Sequence, residues 1–572
     1  MSHKKKVLTG FLILSISTFT YSSCKKHLEE KAELVLLNGT IYTVDEHRPQ
    51  AEALAIEGDR FVFIGDNAGA KKYVDEKTRI IDLKGKTVTP GLIDSHVHLE
   101  WYGRYQEELH LHGTTNFDDV LKIVEQHVKR IEPGEWIIGA GWDHEDWPDK
   151  KLPTHEKLSA ISPENPVLLE RDGAHSVLVN DAAMKLAGID KKTKDIKGGQ
   201  IIRDAKTGAP TGIFVDRAKT LISSIKPQPS YDDRVRYILN AVDSCISVGL
   251  TSVHDAGVFN EPSLAYEIID IFKSLAENGR LKNRVYAMLG GNEVYLDNYF
   301  EYLPMIGYGN HHLTFRSIKI AIDGAMGSRG ALLLDEYSDM PGHRGSVVTE
   351  SDAIKKIAIG AVNKDFQLNV HAIGDSAIRL SLDLFEEVDA DYPIHDRRFR
   401  IEHLQLISLE DIPRLEKLGV IPSMQAYHAI SDMNWAESRV GKERVKGNYA
   451  WRKVLDSGVI IAGGSDIPVV PIDPLWSIYA SVTRRDIDGL PEEGWYPEER
   501  MSREEALKSY TIWAAYAAFE EDLKGSIEVG KLADLVVFSK DITKIAAEEL
   551  LTTKALLTIV GGDIVYKRKE FE

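Results

Sequence analysis

Residues 88–101 read VTPGLIDSHVHLEW, a Pro-Gly turn followed by an apolar run that ends in His96 and His98. Side chains at i and i+2 of an extended strand share one face, so both imidazoles converge while Val97 points the other way. Two neutral nitrogens aimed at one point are the beginning of a divalent-metal site. An isolated pair of this kind is equally compatible with a strand end whose histidines are merely hydrogen-bonded. The rest of the chain has to decide.

Downstream of this stretch, apolar runs alternate with amphipathic helical segments such as DDVLKIVEQHVKRI and DAIKKIAIGAVNKD, the pattern of βαβ units and a parallel sheet. Eight runs read as strands: 92–99, 251–256, 284–289, 317–323, 367–374, 399–406, 420–425 and 459–466. Eight strands alternating with helices predict an α/β fold, a TIM (β/α)8 barrel over 89–524, with its chemistry at the C-terminal strand ends. The interval between the first and second strands is far longer than an ordinary crossover. A large insertion over about 103–246 is therefore expected, with WIIGAGWD and PVLLERDGAHS as strands of its own and a role as a lid or wall over the site.

Short β-rich runs flank the barrel on both sides. ELVLLNGTIYTV, AEALAIEGDRFVFIG and TRIIDLKG precede it, and LADLVVFSKD and ALLTIVGGDIVYKR follow it. Neither end holds enough strands for a stable sheet alone, so one small β-sandwich built from 33–88 and 525–572 is expected. The first residues have another character. Lys4, Lys5 and Lys6 precede an apolar stretch from Val7 to Phe19, and Ser22, Ser23 and Cys24 close it. This resembles a lipoprotein-type signal peptide over 1–23 with Cys24 as the lipidated residue, and implies an exported protein held at the bacterial cell envelope by a lipid anchor.

The 572 residues are 43% hydrophobic and 28% charged, the composition of an ordinary globular protein. A formal charge of -18 leaves no basic footprint for phosphates, so nucleic acid is excluded as a partner and a small-molecule substrate is expected. The sequence also admits a homo-oligomer. Cys24 and Cys245 are the two cysteines, too few for a thiolate zinc site, so any metal must rest on histidines and carboxylates.

Residues of that kind recur at strand ends. His96 and His98 end the first strand, Lys319 lies in the fourth, His371 ends the fifth, His403 the sixth and Asp466 the eighth, where a barrel aims its reactive groups. Neutral imidazoles hold a divalent ion without neutralising it, which leaves the ion acidic enough to bring the pKa of bound water from 15.7 to about 7. Asp466 is suited to orient that water and pass its proton to a leaving nitrogen. Lys319, between Ile318 and Ile320, is costly as a cation, which favours a neutral, modifiable amine; the competing reading pairs it with Asp323. Glu402 precedes His403 and by strand parity should face outward, a structural position.

The segments HVH, SIKIAIDG, NVHAIGD, IEHLQ and GGSDIPV, closed by GSIEVGKLADLVVF, resemble the amidohydrolase superfamily, in particular amidohydrolase family 3 with its YtcJ-like members. GAGWDHEDW, NDAAMKLAGI, GAPTGIFVDRA and PSMQAYHAISDMNWAESRVGKER extend the resemblance over about 33–567. It implies the barrel with a sandwich from both chain ends. It implies Zn2+ or a similar divalent ion, one or two per chain, on His96, His98, His371 and His403, with Lys319 as a bridging carbamate and Asp466 as ligand and general acid/base. His175 matches a recurrent family histidine in the insertion that reaches the substrate.

Weaker candidates for substrate contact are His254, next to Asp255 at the end of the second strand, and Arg329 and Tyr337 in the loop after the fourth. The plainer readings are structural hydrogen bonding and a surface loop. Tyr427 and Trp435 are candidates to wall an apolar pocket. The expected activity is metal-dependent hydrolysis of a carbon–nitrogen bond in a non-peptide, amide-like or formamide-like substrate. The same core also suits a lactone or ester hydrolase or a deaminase, and a rival of another class is a non-catalytic exported binding lipoprotein.

Overall fold

The computed structural model describes residues 31–171, 176–196, 199–257, 262–291, 304–392 and 396–571. Eight parallel strands form its centre: β1 (Leu92–Val97), β2 (Leu250–Asp255), β3 (Arg284–Gly290), β4 (Leu313–Ala321), β5 (Gln367–Ala372), β6 (Arg400–His403), β7 (Ile421–Met424) and β8 (Ala462–Gly463). They are hydrogen-bonded in chain order, with Met305–Gly307 pairing antiparallel to β4. Helices cover the outside, so most strand residues are buried on both faces, which is why these strands read as continuous apolar runs.

The barrel closes between β8 and β1. Ser95 Oγ donates to Gly463 O at 2.8 Å, Asp466 N to His96 O at 2.7 Å, and His98 N to Ile467 O at 3.1 Å. Asp94 Oδ1 accepts from the backbone N–H groups of His96 and Ser465, each at 3.0 Å, and so ties the end of β1 to the loop after β8. The chains approach so closely here that a Cβ on Gly464 would lie 2.8 Å from His96 N. Only glycine fits.

The insertion leaves the barrel through helix Leu99–Glu107 and returns through helix Tyr231–Ser247. The second begins with a capping box between Ser230 and Asp233, and buries Ile238, Ala241, Val242 and Cys245 against the barrel. The two helices touch at Gly103, where a Cβ would lie 1.8 Å from Tyr237 O. Between them a six-stranded sheet runs in the order 199–203, 210–216, 176–179, 167–171, 137–142, 109–110. It has its own core around Trp142, Trp147, Leu158 and Leu169.

Two further sheets form the small β-unit. One has the order 60–65, 53–57, 34–37, 79–82; the other 563–567, 555–560, 535–538, 87–90, 40–42, 50–51. The second sheet interleaves the chain ends, with Thr87–Pro90 paired antiparallel to Leu535–Phe538. Leu36, Ile56, Phe61, Val88, Val537 and Ile559 fill a shared core. The unit is fastened to β3 by a buried ion pair, Arg284 Nε to Asp534 Oδ2 at 2.7 Å and Nη2 to Oδ1 at 2.9 Å.

The expected membrane attachment is corrected. Among the described residues no helix is long and apolar enough to cross a membrane, for which about 20 apolar residues are needed. The described cysteine, Cys245, is free and buried, with no access to a lipid. The signal peptide over 1–23 and the lipidation at Cys24 lie outside the described residues. Among the described residues no feature holds the chain at a cell envelope.

Asp534→Asn strands the Arg284 guanidinium and should lower stability by about 3–5 kcal/mol in urea unfolding. A loss below about 1 kcal/mol would mean that the pair does not hold the β-unit on the barrel. Burial alone would raise the Asp534 carboxyl, but Arg284 holds it below its ordinary value. Its contribution is therefore complete above about pH 4 and is lost as pH falls through the lowered native value.

Candidate metal centre

The barrel mouth brings the strand-end residues together. His98 Nε2 lies 3.1 Å and His96 Nε2 3.5 Å from Asp466 Oδ1, while His428 Nε2 lies 3.8 Å from Asp466 Oδ2. The His96 and His403 ring centroids are 4.8 Å apart, and those of His371 and His403 4.5 Å. Lys319 Nζ reaches His96 Nε2 at 3.3 Å. All six sequence candidates thus line one cavity of about 550 Å³. The rest of its lining mixes the apolar Trp101, Met326, Val348, Ile373, Trp435 and Val469 with the polar Gln405, Ser431 and Asp432.

Backbone conformation helps to aim these groups. His403 and Asp466 have φ of 74° and 67°, a left-handed conformation that costs a non-glycine residue of order 1–3 kcal/mol and concentrates at functional sites. At His403 it breaks the strand alternation. Glu402 therefore faces the barrel interior, not outward as strand parity predicts, and accepts from His96 Nδ1 at 2.5 Å.

The charge states suit cation binding. Burial and the Lys319 ammonium push His96 down to about 4 and His371 to about 3, and burial with the neighbouring rings takes His403 well below its ordinary value. All three are neutral imidazoles at neutral pH. Burial opposes ionisation of Asp466, but the His98 hydrogen bond and the surrounding rings hold it well below the usual carboxylate range. Lys319 is pushed down to about 8 by burial, against the Glu402 and Asp466 carboxylates.

Two groups of ligand atoms, His96–His98–Asp466 and His403–His428–Asp466, each lie within 4.8 Å of one another and share Asp466. The Nδ1 atoms of His96 and His403 face the oxygens of Glu402 and Gln425, the latter at 2.8 Å, so their Nε2 lone pairs face the centre. His371 Nε2 and His428 Nε2 are buried without a hydrogen-bond partner. Neutral imidazole nitrogens, unpaired buried donors and an ionised carboxylate fit a divalent cation.

The other expectations divide. Asp323 does not pair with Lys319; its carboxylate accepts the backbone N–H groups of Leu332, Ile373 and Gly374 at 2.8–3.0 Å. His254 lies beneath the centre and accepts from Arg400 Nη1 at 3.0 Å, away from the cavity lining. Arg329 pairs with Asp339 at 2.9 Å in a partly exposed loop, and Tyr337 is buried with its hydroxyl donating to Ala331 O at 2.9 Å. Neither lines the cavity. Trp435 does, whereas Tyr427 stacks near Trp476. His175 lies outside the described residues. Sequence reasoning missed His428, carried by helix Ala426–Asp432, and the inward position of Glu402.

Residues 79–566 match the family model described as "Amidohydrolase family". The chain belongs to the amidohydrolase family. It is 33% identical to the Arabidopsis thaliana protein LONG AFTER FAR-RED 3, over 94% of this chain and 92% of that one. Against the putative amidohydrolase YtcJ of Bacillus subtilis the identity is 31%, over 93% and 98%. Against the N-substituted formamide deformylase of Arthrobacter pascens it is 27%, over 95% and 99%. Among solved structures, an uncharacterized metal-dependent hydrolase from Pyrococcus furiosus superposes with a TM-score of 0.74 at 31% identity, covering 89% of this chain and 100% of the other. This amidohydrolase is a metal-dependent hydrolase with a divalent-metal site at its barrel mouth.

Two substitutions separate the inside of the cavity from its surroundings. His98→Ala should lower the divalent metal retained per chain, measured by elemental mass spectrometry. Arg329→Ala breaks only a partly exposed pair and should leave metal content unchanged and kcat/KM within about twofold. A large loss of kcat/KM in Arg329→Ala would return this residue to the substrate site.

Proposed function

We propose that the enzyme hydrolyses the carbon–nitrogen bond of a non-peptide amide of the formamide type bearing an apolar N-substituent. The observation that carries this reading is the position of the His96–His98–Asp466 group in a cavity that is lined largely by apolar side chains, among them Trp101, Met326, Val348, Ile373, Trp435 and Val469. An apolar wall receives an uncharged substituent while the few polar groups orient the reacting carbonyl. The likeness to a relative named for N-substituted formamide deformylation, along nearly the full length of both chains, supports the same class.

His96, His98, Lys319, His371, His403 and Asp466 are the proposed ligands, with Zn2+ as the proposed ion. When bound, a divalent ion supplies a Lewis acid that polarises a carbonyl oxygen and lowers the pKa of water to about 7. The protein's own groups do the remainder. Asp466, ionised and steadied by His98, takes a proton from the attacking water and returns it to the departing amine, so that water and amide give carboxylic acid and amine. Burial brings Lys319 down to about 8, so that a fraction of it is the neutral amine near neutral pH, the form that accepts carbon dioxide as a carbamate. A non-catalytic binding protein does not need this set of ionised carboxylate and neutral imidazoles.

Chelation followed by zinc addition, with N-formyl amines, N-acyl amines, lactones and esters offered in parallel, tests the reading. The expected result is release of formate and amine from N-formyl substrates, lost on chelation and restored by zinc. Asp466→Asn should lower kcat by about 10²–10⁴-fold. Turnover that survives chelation, or that favours lactones and esters over every amide, would overturn the assignment.

A further inference from the structure

Beneath the cavity, Glu402 and Arg400 form a fully buried ion pair. Arg400 Nε donates to Glu402 Oε1 at 2.8 Å and Nη2 to Oε2 at 3.1 Å. The guanidinium also reaches three more strands, Nη1 to His254 Nδ1 of β2 at 3.0 Å and Nη2, whose two hydrogens are shared with Glu402, to Ser95 O of β1 at 2.7 Å and Ser423 Oγ of β7 at 3.1 Å. A guanidinium offers donors and no acceptor, so it holds both Glu402 oxygens as acceptors. One of these, Oε2, also takes His96 Nδ1–H at 2.5 Å.

The opposite side of the same imidazole agrees. Lys319 Nζ approaches His96 Nε2 at 3.3 Å, where an amine donor meets a ring lone pair. The Glu402 carboxylate can only accept, so its contact requires the tautomer with hydrogen on Nδ1 and the lone pair on Nε2, and a donating Lys319 fits that same tautomer. A buried ion pair is not by itself a source of stability, because apolar residues of similar volume often do as well or better. Its retention here calls for another use, and neither partner lines the cavity where substrate would sit.

We propose that Glu402, clamped by Arg400, is a positioning residue that fixes the ring and tautomer of His96 and so sets the affinity of the centre for its metal ion. The inference rests on His96 being a ligand. An amide at position 402 must turn its NH2 toward either Arg400 or His96. In the first case the clamp is lost; in the second His96 has to accept at Nδ1 and carry its hydrogen on Nε2, where the lone pair is needed.

The test titrates metal-free protein with zinc against a competing chelator and measures thermal unfolding of the same samples. Glu402→Gln should raise the zinc dissociation constant by about 10–100-fold. Arg400→Met/Glu402→Leu strands no buried charge, and should show the same loss even where the single variant folds poorly. A purely structural role would lower the melting temperature of the metal-free protein and leave the dissociation constant within about threefold of the unmodified chain, well short of a lost ligand-orienting contact. That result in either folded variant overturns the proposal. An unmodified chain that binds no zinc would overturn the ligand assignment beneath it.

Discussion

The meeting of β8 with β1 is the constraint on which the reactive end of the molecule depends. β8 is two residues long, yet it carries the chain to Asp466, and Asp466 N donates to the carbonyl of His96 itself. Carboxylate and imidazole therefore belong to one hydrogen-bonded unit of backbone. Asp94 repeats the tie from the side, and Gly464 permits the approach. A barrel left open at this seam would hold the same residues without a common centre.

Electrostatics at the mouth follow from burial. Removing imidazoles from water keeps them neutral, and the same removal would neutralise Asp466 if the rings around it did not favour its charge. Lower down, Arg400 and Glu402 satisfy each other and reach β1, β2, β6 and β7 at one level. The barrel interior is thus layered, with a paired floor beneath a neutral, nitrogen-rich mouth. The paired floor suits rigidity and the mouth suits cation binding.

Much of this was legible in the sequence, for physical reasons. All eight barrel strands appear as apolar runs because a parallel barrel buries both faces of each strand. His96, His98, His371 and His403 could be singled out because barrel chemistry gathers at strand ends. Glu402 was misplaced because period-2 alternation assumes extended backbone throughout, and the left-handed φ at His403 turns two consecutive side chains inward. His428 left no strand-end signal, since it stands on the helix after β7. Arg329 and Tyr337 looked available because loops often carry function, yet local partners occupy both. The eighth strand reads as eight residues and forms two, because glycines and the turned backbone at Asp466 end it early.

The central claim is that imidazoles and a carboxylate from separate strands hold one cation at the mouth of the closed barrel. Anomalous diffraction at the zinc absorption edge, from crystals of protein supplied with zinc, measures this directly. The expected result is a peak at about 2.0–2.2 Å from the Nε2 atoms of His96 and His98 and from the carboxylate of Asp466. Zinc absent from the cavity, or bound only elsewhere on the chain, would contradict it.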